Sequence, residues 1–218
     1  MKRKIFILCI TLMLLTTGIV YSKDIENRIE GKYIIIDPGH GGKDSGTSVG
    51  NILEKNINLS IAIKLKEKLN KHDVDVLLTR DGDYDLSSPN VNRRKKSDFD
   101  NRIRLINNSN ADMYLSIHIN YLDDNRYYGA QTFYTEGNEG IAKTIQEEFN
   151  NNLNSPLEEK KLNDSIYMYK KLKIPGVLIE CGFISNNKER ELLNSDDYQD
   201  EIVDSIINGL IKYYGIIK

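Results

Sequence analysis

The sequence predicts one α/β domain with three layers, in which helices cover both faces of a mostly parallel mixed sheet of about six strands. Short apolar runs typical of buried strands alternate along the chain with longer segments of helical periodicity. The length of 218 residues is enough for one domain with a full core and short for two. In sheets of this kind, functional groups gather at the carboxyl ends of the strands.

The first 22 residues differ in composition from the rest of the chain. A basic start, "MKRK", precedes an apolar run over residues 5–20, and polar residues follow. The run is slightly short for a membrane-spanning helix and slightly long for the apolar part of a signal peptide. We therefore expect residues 1–22 to be either a cleaved signal peptide or an uncleaved membrane anchor, followed by a polar linker at 23–32 and the domain at 33–217. Both alternatives imply export.

The first half of the domain contains two predicted strands and two predicted helices. Three consecutive isoleucines indicate that strand 33–37 is buried on both faces. Apolar residues at helical spacing predict a helix at 54–71. They are Ile57, Ile61, Leu65 and Leu69. The apolar run at 74–80 predicts a second strand. A polar loop then leads to a helix at 99–110, which ends in Asn and Ser.

The second half continues the alternation of strands and helices. Strict alternation of polar and apolar residues predicts a strand at 111–120. The segment "SIYMYKKL" (165–172) is short and fits neither type clearly. The other predicted elements are strands at 129–135 and 176–183 and helices at 140–153, 188–193 and 198–214.

Charge and cysteine content restrict the function. The chain has 30 basic and 32 acidic residues, and removal of residues 1–22 leaves 27 basic residues against the same 32 acidic ones. A domain with this acidic balance is not expected to bind nucleic acid. Only Cys181 remains after the leader, so no disulfide within the domain is expected.

Two of the three histidines lie where strands end. His40 follows the first strand in the turn "DPGHGG", whose glycines allow unusual backbone angles and close approach by a ligand. His118 shares the polar face of its strand with Ser116 and Asn120. The competing interpretations are a turn histidine without a role and a hydrogen-bonded histidine at the rim of the sheet.

Two carboxylates are placed similarly. Glu54 begins the first helix, where compensation of the helix dipole is a sufficient alternative reason for an acid. Glu180 ends the apolar run "GVLI", where a carboxylate is costly unless it is paired or solvated. A thiol hydrolase using Cys181 and His118 is a rival interpretation. Alternation opposes it, because Cys181 points away from the site if Glu180 points into it.

Two imidazoles and one carboxylate form the ligand set of a catalytic zinc ion, which leaves one position open for water. The fourth group would then act as a base. The chain contains no local H-E-x-x-H motif, so spacing alone indicates zinc only weakly.

With these residues assembled, the chain resembles the zinc-dependent N-acetylmuramoyl-L-alanine amidases of the Amidase_3 family. The resemblance covers residues 33–214. The matching stretches are "IIIDPGHGGKDSG", Glu54 at the start of the first helix, "LLTR", "NRIRLINNSNADMYLSIHIN", "GAQTFY" and "IPGVLIECGFISNNKERELL". The family more often has "SIHAN" where this chain has "SIHIN", and the changed residue, Ile119, lies on the apolar face.

The resemblance implies that His40, Glu54 and His118 bind one Zn²⁺ per chain and that Glu180 is catalytic. The implied substrate is peptidoglycan, cleaved between the lactyl group of N-acetylmuramic acid and L-alanine. Further residues are predicted to contact the substrate, namely Gly41, Gly42, Asn120 and Arg80. Asp37 is predicted to orient a ligand histidine, with capping of the turn as the alternative.

The segment "GAQTFY" and the lack of a wall-binding repeat make the chain most similar to the sporulation- and germination-specific members of the family. Those members act on spore cortex, on the way to muramic-δ-lactam, so we expect action outside the cytoplasm, including the forespore intermembrane space. The alternatives are a vegetative wall amidase, a zinc peptidase of other specificity, and a metal-free peptidoglycan-binding module.

The loop at 82–97 carries the basic run "NRRKK" (Asn92 to Lys96). A solvated charged loop is the simplest interpretation. Contact with substrate carboxylates or with a partner protein is the alternative. Some members of the family need an accessory protein or are held inactive by an occluding element, and the sequence leaves this open. Membrane contact is expected only through residues 5–20, if they are not cleaved.

Overall fold

The computed structural model describes residues 27–163 and 165–216, and the predicted leader at 1–22 lies outside these residues. The strands are β1 (Tyr33–Pro38), β2 (Ser48–Val49), β3 (Ile52–Leu53), β4 (Asp75–Leu78), β5 (Met113–Asn120), β6 (Gln131–Tyr134), β7 (Lys160–Lys161) and β8 (Gly176–Phe183). The α-helices are α1 (Glu54–Asn70), α2 (Arg94–Asn107), α3 (Glu139–Asn152), α4 (Asn187–Leu193) and α5 (Asp196–Ile216). Short 3₁₀ turns lie at Asn27–Ile29 and Tyr169–Lys171.

The central sheet has six strands in the order β4-β1-β5-β8-β6-β7. All neighbouring pairs are parallel except β6 and β8. This confirms the predicted mixed, mostly parallel sheet. The isoleucines at 34–36 have no exposed surface, as expected for a strand covered on both faces.

The core is divided by the sheet. Ile34 and Ile36 of β1 pack with α1, α3 and α5 on one face. Ile35, which points the other way, packs with α2 and with Met168 and Tyr169 on the opposite face. This alternation confirms the three layers, because successive side chains of a strand face opposite sides of the sheet.

Several local features differ from the sequence predictions. Helix α2 begins at Arg94, so the end of the basic run is helical and not part of the loop. The two-residue strands β2, β3 and β7 were not predicted, and "SIYMYKKL" becomes a 3₁₀ turn rather than a helix or strand.

The described part of the predicted linker is packed against the domain, since Ile29 is fully buried in the core. Among the described residues, no helix combines the length and the apolar character that crossing a membrane requires.

Candidate active site

The turn after β1 presents His40 at the carboxyl edge of the sheet. His40 has a left-handed backbone conformation, with a φ angle of 62°, which is uncommon outside glycine. Arg102 of α2 stabilises this turn, because its guanidinium donates to the carbonyl oxygens of Pro38 at 2.8 Å and of His40 at 2.6 Å. Two buried carboxylates, Asp37 and Asp98, neutralise the arginine. The backbone that carries His40 is therefore fixed by a buried ion network.

The structure brings the three predicted metal ligands together. His40 Nε2 lies 3.2 Å from Glu54 Oε1, and His118 Nδ1 lies 3.0 Å from the same oxygen. The potential ligand atoms of these three residues all lie within 4.8 Å of one another. Ligands of a tetrahedral zinc site, at ~2.0–2.1 Å from the metal, are roughly 3.4 Å apart, so the cluster has the dimensions of such a site.

Neighbouring groups hold the Glu54 carboxylate in place. Its Oε2 accepts a hydrogen bond from the backbone N–H of Thr47 at 2.8 Å. Its Oε1 faces the histidines and also accepts from the amide of Asn58 and the backbone N–H of Ile119, both at 3.3 Å. The Asn58 amide donates to the carbonyl oxygen of Gly39 as well, at 3.2 Å, which links helix α1 to the histidine turn.

A further carboxylate lies behind His40. Asp44 Oδ2 is 3.0 Å from His40 Nδ1, at ion-pair distance although not in hydrogen-bond alignment. An acid in this position fixes the ring of a metal-ligating histidine and leaves the other nitrogen free for the metal. Asp44 and Asn58 are not among the site residues predicted from the sequence.

The charged neighbours of Glu54 and His40 favour the ionised form of each side chain. Burial raises the pKa of Glu54, but the two neighbouring imidazoles outweigh burial and hold it well below its usual range. Burial lowers the pKa of His40, but Asp44 and Glu54 outweigh burial and raise it to about 9. The site thus holds anionic carboxylates that stabilise positive charge, which suits a cation.

Two glycines that are not among the predicted site residues make room for the cluster. A side chain at Gly39 would collide with the ring of His118, and one at Gly46 would collide with Glu54 and His40. Gly41 and Gly42 instead pack against the backbone at Tyr84 and Asp85. Their small size therefore serves the contact with the 81–86 loop, and their predicted contact with substrate stays a prediction.

Glu180 of β8 lies opposite His118 of β5 in the register of the sheet. Its Oε2 atom is inaccessible to solvent and has no hydrogen-bond partner. Burial raises its pKa to about 7, the histidines oppose this, and the charge of Glu54 adds to it. An unpaired carboxyl that titrates near neutrality is suited to accept and donate protons.

Cys181 points to the opposite side of the sheet, as the alternation predicts. It is fully buried in the core, and burial raises the pKa of its thiol well above the usual value. An inaccessible, protonated thiol is a poor nucleophile, which opposes the thiol-hydrolase alternative.

Three of the four groups, His40, His118 and Glu180, border one cleft of about 250 Å³, and Glu54 contacts both histidines. His40, His118 and Glu180 line its floor together with Asp37 and Arg102. The wall is formed by Phe99 of α2, by Leu178 of β8 and by the segment Ile166, Tyr167, Met168 and Tyr169.

The other predicted site residues, Asp37, Arg80 and Asn120, differ in the groups that they contact. Asp37 does not bond a histidine; it accepts from Thr79, Ser116 and Arg102 and so acts on His40 only through the arginine. Arg80 is buried and donates to four carbonyl oxygens, those of Pro38, Gly39, Lys55 and Gly82. These contacts favour a structural role for Arg80 over the predicted substrate contact. Asn120 ends β5 and bonds the backbone of Tyr121.

A three-layer α/β domain with two imidazoles and two carboxylates at one cleft of its sheet edge has the features of a hydrolase. The family model for N-acetylmuramoyl-L-alanine amidases, Amidase_3, matches residues 34–212, and the chain belongs to this family. This confirms the predicted enzyme class.

Known proteins agree with this assignment. The chain is 39% identical over 192 residues to the germination-specific N-acetylmuramoyl-L-alanine amidase of Bacillus subtilis, covering 85% of this chain and 81% of that protein. It is 40% identical, with a TM-score of 0.81, to the CwlD amidase of Clostridioides difficile, solved in complex with the GerS lipoprotein, over 85% of this chain and all of that one. A second solved amidase, from Clostridium difficile 630, is 31% identical with a TM-score of 0.75, over 86% of this chain and 98% of that one.

Proposed function

We propose that the chain is a zinc-dependent amidase that cleaves the bond between the lactyl group of N-acetylmuramic acid and L-alanine in spore-cortex peptidoglycan. The observation that carries the proposal is the convergence of His40, Glu54 and His118 on one point, beside a second carboxyl, that of Glu180. The similarity to a germination-specific amidase supports the spore context over a vegetative role.

The residues present fit zinc. Two imidazole nitrogens and one carboxylate oxygen are the donor types of catalytic zinc sites with one open position. The space for them exists because Gly39 and Gly46 lack side chains that would fill it. A zinc ion bound there supplies Lewis acidity and lowers the pKa of a water molecule to about 7.

Glu180 supplies the proton transfers. Glu180 has a pKa of about 7 in the metal-free chain, and a cation bound nearby would lower it, so the carboxylate form is present at neutral pH to accept the proton of the attacking water. The same carboxyl then donates a proton to the leaving nitrogen. The products are a lactyl carboxylate on the sugar and a stem peptide with a free amino group on L-alanine. Arg102, Asp44 and Asn58 keep the histidine turn and Glu54 in register during this exchange.

The relatives support a place of action and a partner. Amidases of this family act on the cell wall, so we propose export by residues 1–22 and action outside the cytoplasm. The related CwlD amidase was solved with a lipoprotein. By analogy, we propose that an accessory protein binds this chain.

Product analysis tests the proposal. The zinc-loaded protein is incubated with cortex peptidoglycan, and the released peptides are identified by mass spectrometry. Peptides that begin with L-alanine are expected, and chelation should stop their release. Cleavage at another amide would instead identify a zinc peptidase, and binding without cleavage would identify a binding module. Release that persists under chelation but stops after thiol alkylation would restore the mechanism based on Cys181.

A further inference from the structure

The basic run of helix α2 contains one lysine that differs from its neighbours. Arg94 pairs with Asp85, and Lys96 pairs with Asp100 at 2.6 Å. Lys95 lies between them in sequence but extends toward the site, where its Nζ is 3.6 Å from Oδ2 of Asp44.

Two contacts place the Lys95 ammonium at the rim of the cleft. Asp44 is the carboxylate behind His40, so one acidic group separates the ammonium from the proposed zinc ligand. The ammonium also lies 5.9 Å from the ring centroid of Phe99, which lines the cleft wall. The side chain is 64% exposed and its pairing with Asp44 is loose, so it can turn toward a substrate.

The wall below Lys95 is apolar in character. Phe99, Ile166, Met168 and Leu178 contribute hydrocarbon surface. The tyrosine hydroxyls of the wall are already engaged. Tyr167 donates to Asp100 at 2.5 Å, and Tyr169 shares a hydrogen bond with Ser116 at 3.1 Å.

The two sides of the scissile amide differ chemically. The sugar side presents hydroxyl and acetamido groups, which need free hydrogen-bonding partners. The peptide side presents the methyl group of L-alanine and then a D-glutamyl residue. This residue is linked through its γ-carboxyl, so its α-carboxylate branches off the backbone of the stem peptide. An apolar wall whose hydroxyls are engaged, with a cation at its rim, complements the peptide side.

We propose that this wall binds the stem peptide and that Lys95 pairs with the α-carboxylate of its second residue, which makes Lys95 a determinant of specificity. This inference rests on the proposed function. In an extended peptide, the second residue lies about 7 Å from the scissile bond. Asp44 Oδ2 lies 3.0 Å from His40 Nδ1 and 3.6 Å from Lys95 Nζ, so these two nitrogens are at most about 7 Å apart. Substrates with an α-carboxamide at this position lose the ion pair.

The test compares two preparations of polymeric peptidoglycan that differ only in having α-carboxylates or α-carboxamides on the second residue. The wild-type protein should prefer the carboxylate form by about two- to fivefold in kcat/KM, the range of a partly exposed ion pair. Lys95→Gln should lower kcat/KM for the carboxylate form alone, and Lys95→Arg should keep the preference. Binding of L-alanyl-γ-D-glutamyl-L-lysine and its α-carboxamide, measured by calorimetry, should show the same pattern.

Lys43→Gln is the matched control, since it removes an exposed lysine next to Asp44 in the sequence. It should leave the preference unchanged. If Lys95→Gln lowers kcat/KM equally for both substrates, Lys95 acts only through Asp44. If Lys43→Gln reduces the preference as much as Lys95→Gln does, the preference comes from the overall positive charge near the cleft. Either result overturns the inference. Wild-type cleavage of both preparations without preference overturns it too, yet leaves the proposed function intact. Cleavage of neither refutes both.

Discussion

Replacing the Glu180 carboxyl by an amide, in Glu180→Gln, should stabilise the metal-free protein at alkaline pH but not at acidic pH. In the folded chain, burial raises the pKa of Glu180 from 4.5 to about 7. The unfolded chain therefore releases this proton first as the pH rises. A folded state that holds protons more tightly than the unfolded state loses stability with rising pH, in this case between about pH 4.5 and pH 7.

The magnitude follows from the shift in pKa. One pKa unit corresponds to about 1.4 kcal/mol, so the full shift would cost about 3 kcal/mol above pH 7. Water in the cleft reduces this cost because the side chain borders solvent. We therefore expect Glu180→Gln to raise the free energy of unfolding by about 1–3 kcal/mol at pH 8 and by nearly nothing at pH 4.

Thermal unfolding of chelator-treated protein checks this. For a domain of this size, 1 kcal/mol moves Tm by about 2–4 °C. The difference between variant and wild type cancels the titration of groups that do not interact with Glu180. Glu158→Gln, which changes an exposed carboxyl, should show no such pH dependence. A stability difference that stays constant from pH 4 to pH 8 would refute the raised pKa, and with it the reason for assigning Glu180 as a base near neutrality.

Three further substitutions probe the support of the site. Gly46→Ala should weaken zinc binding, measured by competition with a chelator, by more than about tenfold, because the new methyl group collides with Glu54. Gly50→Ala, at a φ of 59° with open space around it, should keep the affinity. Asn58→Ala should lower zinc affinity about 10–100-fold, since it removes one of the groups that hold Oε1 of Glu54; an unchanged affinity would contradict this. Arg102→Gln should lower the free energy of unfolding by about 3–5 kcal/mol in urea titrations, and a loss below 1 kcal/mol would show that the buried ion network is not needed.

The sequence was sufficient for five of the six strands of the central sheet and for the convergence of His40 and His118. Both histidines end apolar parallel strands, and parallel strands place their carboxyl ends at one edge. The two-residue strands β2 and β3 could not be predicted, because so short a segment carries no periodicity.

The residues that hold the site in place could also not be predicted from the sequence. Arg102 bonds a carboxylate 65 positions away, a contact that only the packed fold creates. The signals that existed were modest: Asn58 follows Glu54 by one helical turn, and Asp44 follows His40 by four residues in the same motif. Gly39 leaves space for the ring of His118, whereas Gly41 leaves space for the backbone of a loop. This difference depends on contacts between residues far apart in sequence.

The most direct test of the account measures zinc content and peptide release on the same sample of Glu180→Gln. We expect one zinc ion per chain, bound as in the wild type by His40, Glu54 and His118, together with loss of release of peptides beginning with L-alanine from peptidoglycan. If zinc-loaded Glu180→Gln released peptides as fast as the wild type, this would contradict the role of Glu180. Loss of zinc from this variant would show that Glu180 is a ligand and not the base.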